Sequence, residues 1–305
     1  MKVLRAPYEE WRLDAAGSAV SIGVYDGVHR GHQHVLRAIA AAVELPLTVV
    51  TFANHPASVV NPSRAPRMLT SLEHRLELLA AQGVATTAVL EFDDRMRRMT
   101  ASEWVDEVLV ERIRARIVAV GEDFRFGYEL RGDVETLRQI GVERGFDVMG
   151  LPILGDGEPI RSTAIRAALG AGDVARAAVL LGRHFQIRAR VLRGDQRGRA
   201  IGFPTANLDV PHVLARPRWG VYSAWAGVGA ADRPAVVNVG VRPTIGGERE
   251  LVEVHLLDGD ADLYGKELRV DFVSRLRDEL RFATLEALVE QIARDADRAR
   301  IELLG

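Results

Sequence analysis

Near Leu181 the chain changes the rule by which it alternates, and that change limits its possible folds more than any other feature. Before it, apolar runs at residues 19–24, 47–52, 86–92, 116–121 and 146–151 read as strands. Between them, Leu72, Leu76 and Leu79 recur at helical spacing, as do Trp104, Val105, Val108, Leu109 and Ile113. Strands alternating with helices predict a doubly wound α/β layer on a parallel sheet. Two helix-like pieces follow, at 163–169 and 174–181. After them come strand candidates at 185–192, 221–227, 235–239, 251–257 and 268–273 with no helix between, the pattern of an antiparallel β-barrel. A terminal helix is expected to turn Leu285, Leu288, Val289 and Ile292 inward and Glu286, Glu290 and Arg294 outward. The boundary is expected at Gly182-Arg183, giving domains 1–182 and 183–305.

Composition excludes several classes. The 305 residues suffice for two cores, and 48% hydrophobic with 27% charged residues is ordinary for a globular protein. No cysteine is present, so disulfides, thiolate catalysis and Cys-ligated metals are ruled out. A net charge of −2 does not favour nucleic acid as a partner. The N-terminus lacks a signal-like stretch and no segment is apolar for long enough to span a membrane, so a cytoplasmic address is expected. Weak self-association is left open.

The run Gly23-Val24-Tyr25-Asp26-Gly27-Val28-His29-Arg30-Gly31-His32 lies between a strand and a helix. Gly23, Gly27 and Gly31 let backbone approach a ligand closely. His29 and His32, three apart at a helix start, project to one side beside its anion-attracting end. Two imidazoles there can hydrogen-bond a triphosphate and stabilise the charge that builds as pyrophosphate leaves. Thr51 to Pro56 ends the second strand and Gly121 to Gly127 the fourth, on the edge where such sheets bind ligands. Ser162 and Thr163 stand at capping positions with Arg166 one turn on, and Ser162 can equally be a plain N-cap.

In the second half a cationic loop, Arg193-Gly194-Asp195-Gln196-Arg197-Gly198-Arg199, suits the covering of phosphates. Thr205 and Asn207 alternate along an extended segment and point the same way, offering hard oxygen donors for Mg²⁺; a polar turn is the other reading. Glu253 lies in a later strand, either as a solvated carboxylate or as a base for an alcohol undergoing phosphorylation. Attack by a phosphate monoester on an α-phosphate needs no such base, only positioning and charge stabilisation.

Together these segments, with Asn238 to Thr244, Glu253-Val254-His255 and Leu263 to Lys266, resemble the bifunctional bacterial riboflavin kinase/FMN adenylyltransferase (FAD synthetase) family, particularly its actinobacterial members. The resemblance implies an N-terminal nucleotidyltransferase domain and a C-terminal kinase barrel. It implies that riboflavin is phosphorylated to FMN and FMN adenylylated to FAD, with ATP and Mg²⁺ or another divalent cation. Carried over, His29, His32 and Arg166 serve adenylylation. Gly23, Asp26, Gly27, Gly31, Ser162 and Thr163 bind ATP there, and Asn54, His55, Asp123, Phe124 and Arg125 bind flavin. In the kinase, Gly194, Gly198 and Arg199 bind ATP, Thr205 and Asn207 hold the metal, and Glu253 is the base.

The chain departs from the family at Ala53 and Asn54, where an acidic residue and a proline are usual. Arg161 replaces the first of two hydroxyl residues, and Gln196 and Ile245 replace a glycine and an aromatic residue. Arg161 and Ala53 therefore leave two alternatives standing: a specialist for one step or another flavin, and a flavin-binding regulator with inactive sites.

Overall fold

The computed structural model describes residues 1–5, 7–13, 17–155, 158–193, 201–229, 231–244, 247–259 and 262–305. They form two compact units, Met1–Ser162 and Thr163–Gly305.

In the first unit, strands β1 (Lys2–Leu4), β2 (Ser18–Ile22), β3 (Leu47–Phe52), β4 (Thr86–Leu90), β5 (Ala115–Gly121) and β6 (Asp147–Leu151) build one parallel sheet in the order β1-β4-β3-β2-β5-β6. The edge strand β1, too short for a periodic signal, is an addition to the expected set. Successive residues point to opposite faces, as strand geometry demands. Ala19, Val49 and Ala119 pack with Leu36 and Ile39 of helix α1 (Arg30–Ala42) and with Leu79. Val20, Val50 and Val118 pack on the other face with Trp104, Val105, Val108, Leu109 and Ile113. Those five apolar residues form the helical stripe expected of them, but from Val105 to Ile113 the helix is wound wider than an α-helix. It ends at Arg114 (φ 54°), whose N–H bonds Leu109 O, five residues back.

Chain order reverses between β2 and β5. Each of these strands pairs with the other and with an outer neighbour, and a crevice opens beyond their C-terminal ends at this switch.

In the second unit β7 (Phe185–Leu192), β8 (Ala206–Leu208), β9 (Gly220–Gly227), β10 (Arg233–Thr244), β11 (Gly247–Leu256) and β12 (Glu267–Arg277) close an antiparallel barrel in the order β10-β11-β8-β7-β12-β9. Alternate residues such as Ile187, Ala189, Val237, Val252, Val254, Val270 and Phe272 are buried. The helix Val174–Leu181 packs against β7 and β12. It buries Val174, Ala177, Leu180 and Leu181 and stops at Gly182 with φ 75°, the left-handed turn that glycine tolerates. The compact units thus divide some twenty residues before the sequence-based boundary at Gly182.

The terminal helix, Leu285–Leu304, corrects one expectation. Leu285 is exposed, and the buried face carries Asp295, Ala296 and Ala299. The alanines lie against Val221, Val236, Leu257 and Leu276, because small side chains let the helix axis approach the barrel wall. Asp295 is held by Arg277 at 2.7 Å.

Candidate active sites

A cavity of about 280 Å³ lies in the crevice of the first unit. Ser21, Ile22 and Gly23 line it from the end of β2, Val120 and Gly121 from the end of β5, and Ile153 and Leu154 from beyond β6. Tyr25, His29, Gly31, His32, Asp123, Phe124, Arg161 and Ser162 complete its chemistry-bearing wall. Of the predicted residues, Gly23, His29, Gly31, His32, Asp123, Phe124 and Ser162 therefore meet in one place.

The histidine pair is built by a helix start. His29 is the N-cap of α1, and its Nδ1 accepts from the His32 backbone N–H at 3.4 Å, so in the neutral ring the proton sits on Nε2. The two rings stack at 3.7 Å between centroids, and Tyr25 lies against His32 at 4.7 Å. A Cβ on Gly31 would meet Ile160 O at 3.0 Å and the His29 ring at 3.1 Å, so this turn accepts only glycine without a shift. Burial first, then His29 and Arg75, hold His32 well below the usual imidazole range, so it works as a neutral ring. Its Nδ1 is buried and has no hydrogen-bond partner among the described residues. Tyr25 Oη donates to Ser21 Oγ at 2.6 Å, and Ser21 Oγ to Ala119 O at 2.8 Å, tying β2 to β5 under the cavity. Burial pushes the Tyr25 phenol up, so it remains a donor.

Arg75 escaped sequence reasoning. It is among the largest fully buried side chains, and its guanidinium donates to Val24 O at 2.6 Å and Phe52 O at 2.8 Å. It thereby clamps the loop after β2 to the end of β3. Its signal in the sequence was nil, because an arginine inside a helical leucine pattern ordinarily faces water.

Other predicted residues take structural positions. Asp26 is buried and does not line the cavity; its carboxylate accepts from the N–H groups of Leu69 at 2.7 Å and Thr70 at 3.3 Å. Gly27, at φ 81°, donates to Thr70 Oγ1. Ser162 Oγ, at the end of the first unit, donates to Asp26 O of the same loop at 2.9 Å. Asn54 exchanges two hydrogen bonds with the backbone of Phe92, at 2.8 and 2.9 Å, while His55 Nδ1 accepts from the Ala57 N–H. Neither of these two lines the cavity, nor does the exposed Arg125. Thr163 is exposed and Arg166 half-buried, both among residues that group with the second unit.

On the barrel, Asn207 of β8 lies directly opposite Glu253 of β11, which lies opposite Asn238 of β10. Residues paired this way share a face with Cβ atoms roughly 5 Å apart. All three are half-buried, on the face opposite the buried Val252 and Val254. His255, two residues on, donates from Nδ1 to Pro204 O at 2.9 Å and meets the Phe203 ring edge-on at 5.4 Å. These contacts press the segment carrying Thr205 and Asn207 onto β11. Asn238 was missed as a site residue, since only the strand register brings it beside Glu253. Gly194, Gly198 and Arg199 lie outside the described residues, as do Gln196 and Ile245. Among the described residues no group of three or more His, Asp or Glu could hold a metal ion. The oxygen donors at hand are the Asn207 carboxamide, the Glu253 carboxylate and the exposed Thr205 hydroxyl, a set suited to a hard cation that keeps water and phosphate ligands.

Comparison with known proteins gives two family matches in this order, FAD synthetase over residues 12–164 and riboflavin kinase over residues 181–303. The bifunctional riboflavin kinase/FMN adenylyltransferase of Escherichia coli K12 is 40% identical over 305 residues, covering 98% of this chain and 97% of its own. That of Pseudomonas fluorescens is 40% identical over 294 residues, covering 95% and 94%. A crystal structure described as a macrolide-efflux protein from Streptococcus pneumoniae superposes with a TM-score of 0.90 at 29% identity, covering 98% of this chain and 99% of that one.

Proposed function

The chain belongs to the bifunctional riboflavin kinase/FMN adenylyltransferase family, and from that premise we propose how its two sites divide the work. It phosphorylates riboflavin to FMN and adenylylates FMN to FAD, with ATP in both steps. Adenylylation is assigned to the sheet unit and phosphorylation to the barrel unit. One observation carries the assignment: the histidine-lined cavity sits at the switch point of the sheet, while the carboxylate registered against Asn207 sits on the barrel. A one-step specialist is not favoured, because both family matches are present in order.

In the sheet unit the FMN phosphate attacks the α-phosphorus of ATP, and the bond to the bridging oxygen of pyrophosphate breaks. The attacking oxygen is already an anion, so the site holds reactants in line and stabilises the leaving charge. His29 and His32, with Ser162 beside them in the cavity wall, are given that role, with N–H donation from the neutral His32 ring and the α1 terminus supplying the field. Gly23 and Gly31 admit the phosphates, and Phe124 contacts flavin. Asp26, Gly27 and Asn54 serve by holding the loops in place.

In the barrel unit the ribityl hydroxyl of riboflavin gives its proton to Glu253 as its oxygen bonds the γ-phosphorus of ATP and ADP departs. Thr205 and Asn207 would hold Mg²⁺, which when bound neutralises phosphate charge. Asn238 orients the Glu253 carboxylate from the neighbouring strand. The proposal includes small-molecule partners and a cytoplasmic setting, in keeping with a net charge of −2 that offers no general attraction to nucleic acid. The efflux in the description of the S. pneumoniae protein is not carried over, since among the described residues no helix is long and apolar enough to cross a membrane. Incubation with riboflavin, ATP and Mg²⁺ followed by chromatography tests the whole reading: FAD must appear, by way of FMN.

A further inference from the structure

Arg161 stands where a hydroxyl residue is usual in the family, and the cavity gives it a chemical setting of its own. Among the described residues lining the cavity, it is the one arginine or lysine. Of the two histidines beside it, His32 is pushed toward the neutral form by burial and adds no fixed charge. Yet the substrates of the adenylylation proposed above bring a triphosphate and a phosphate monoester into the same space. Arg161 meanwhile is held by Asp123, Nη2 to Oδ2 at 2.7 Å, and Asp123 also lines the cavity. Both side chains are about half exposed, at 49% and 52%. An ion pair so exposed contributes little to stability, so opening it is cheap. A phosphate carries more charge than a carboxylate and accepts the same planar fork of N–H donors.

We propose that Arg161 is a substrate-phosphate ligand of the adenylylation site, and that Asp123 is its internal placeholder, displaced when the phosphate arrives. This rests on the functional reading above and adds a residue to which the resemblance assigned no role. The placeholder has a distinctive consequence. Were the pair merely structural, removing either partner would have the same effect. As a competitor for the guanidinium, Asp123 weakens phosphate binding, and removing it acts in the opposite direction to removing Arg161.

The test uses the full chain and three variants, Arg161→Ser, Arg161→Lys and Asp123→Asn, with pyrophosphate and FMN titrated separately by calorimetry. Arg161→Ser should weaken one of the two ligands about tenfold, the scale of one lost charge-assisted hydrogen bond. Arg161→Lys should recover part of that loss, and Asp123→Asn should tighten the same ligand about twofold or more through the loss of its competitor. Weakening for pyrophosphate places the guanidinium on the phosphates of ATP, and weakening for FMN places it on the flavin phosphate. Unchanged affinity for both ligands in Arg161→Ser overturns the proposal, as does weakening by both Arg161→Ser and Asp123→Asn. Because binding is measured, this result stands apart from turnover. FAD formation by the wild-type sample, followed in parallel, tests the functional reading itself.

Discussion

Replacing Arg75 by methionine should cripple FAD formation without touching riboflavin phosphorylation, and the size of the effect can be worked from three atoms. Methionine keeps the unbranched stem but donates no hydrogen bond. Phe52 O then loses its donor at 2.8 Å, while Val24 O loses one at 2.6 Å but keeps the Thr51 hydroxyl at 2.9 Å. An unsatisfied carbonyl costs about 1–3 kcal/mol and a lost hydrogen bond to a carbonyl that keeps another about 0.5–1.5 kcal/mol, so the gross loss is roughly 1.5–4.5 kcal/mol. Part is returned, because the guanidinium is itself expensive to bury: burial lowers its pKa and its Nε has no partner among the described residues. A net destabilisation of about 1–3 kcal/mol follows, or about 2–12 °C in the melting of a unit of this size. The loop it frees carries Tyr25 and His29, so FAD formation falls even at temperatures where the unit stays folded. Arg75→Lys, which can satisfy one carbonyl at a time, should recover about half of the loss. Calorimetric melting and chromatography of products from riboflavin and from FMN measure both effects. An Arg75→Met variant with unaltered melting and normal FAD output would refute the clamp. Equal loss of both activities would refute its confinement to one site.

Glu253→Gln keeps shape and strand pairing but cannot take the hydroxyl proton, so FMN formation should fall roughly a hundred- to ten-thousandfold while supplied FMN is still converted to FAD; loss of both reactions, or of neither, goes against two independent sites. The double substitution His29→Ala with His32→Ala should slow FAD formation on the order of a hundredfold or more and let FMN accumulate from riboflavin; normal FAD output in a folded variant removes the motif from the chemistry. A fragment beginning at Thr163 should be more stable than one beginning at Arg183, which lacks the packing of Val174, Leu180 and Leu181 against the barrel. At about 1.5–3 kcal/mol for each such side chain, the shorter fragment should lose at least about 4 kcal/mol, and equal urea midpoints would show that this helix contributes nothing.

The sequence alone determined what local rules can determine. A continuous apolar run marked β3 and a period-two pattern marked β7 to the residue, and such patterns located the change from open sheet to barrel, because burial acts on each segment separately. The glycine and histidine spacing of residues 23–32 likewise foretold a helix start facing a cavity, since residues three apart in a helix project to one side. What the tertiary structure decided is long-range. Asn238 became a partner of Glu253 only through the register of β10 with β11, and a slip of one residue would have turned it to the other face. Asp26 looked like a ligand for a nucleotide, but the backbone of Leu69 and Thr70, more than forty residues away, claims its carboxylate. The face of the last helix was legible, since Leu288, Val289 and Ile292 are half-buried and Glu286, Glu290 and Arg294 exposed. Leu285, however, is exposed, and full burial falls further along that face at Ala296 and Ala299, where small side chains let the helix approach the barrel. Arg75 and the Arg161–Asp123 pair follow the same logic: a charge is assigned its task by whatever the fold brings against it, and no local pattern holds that information.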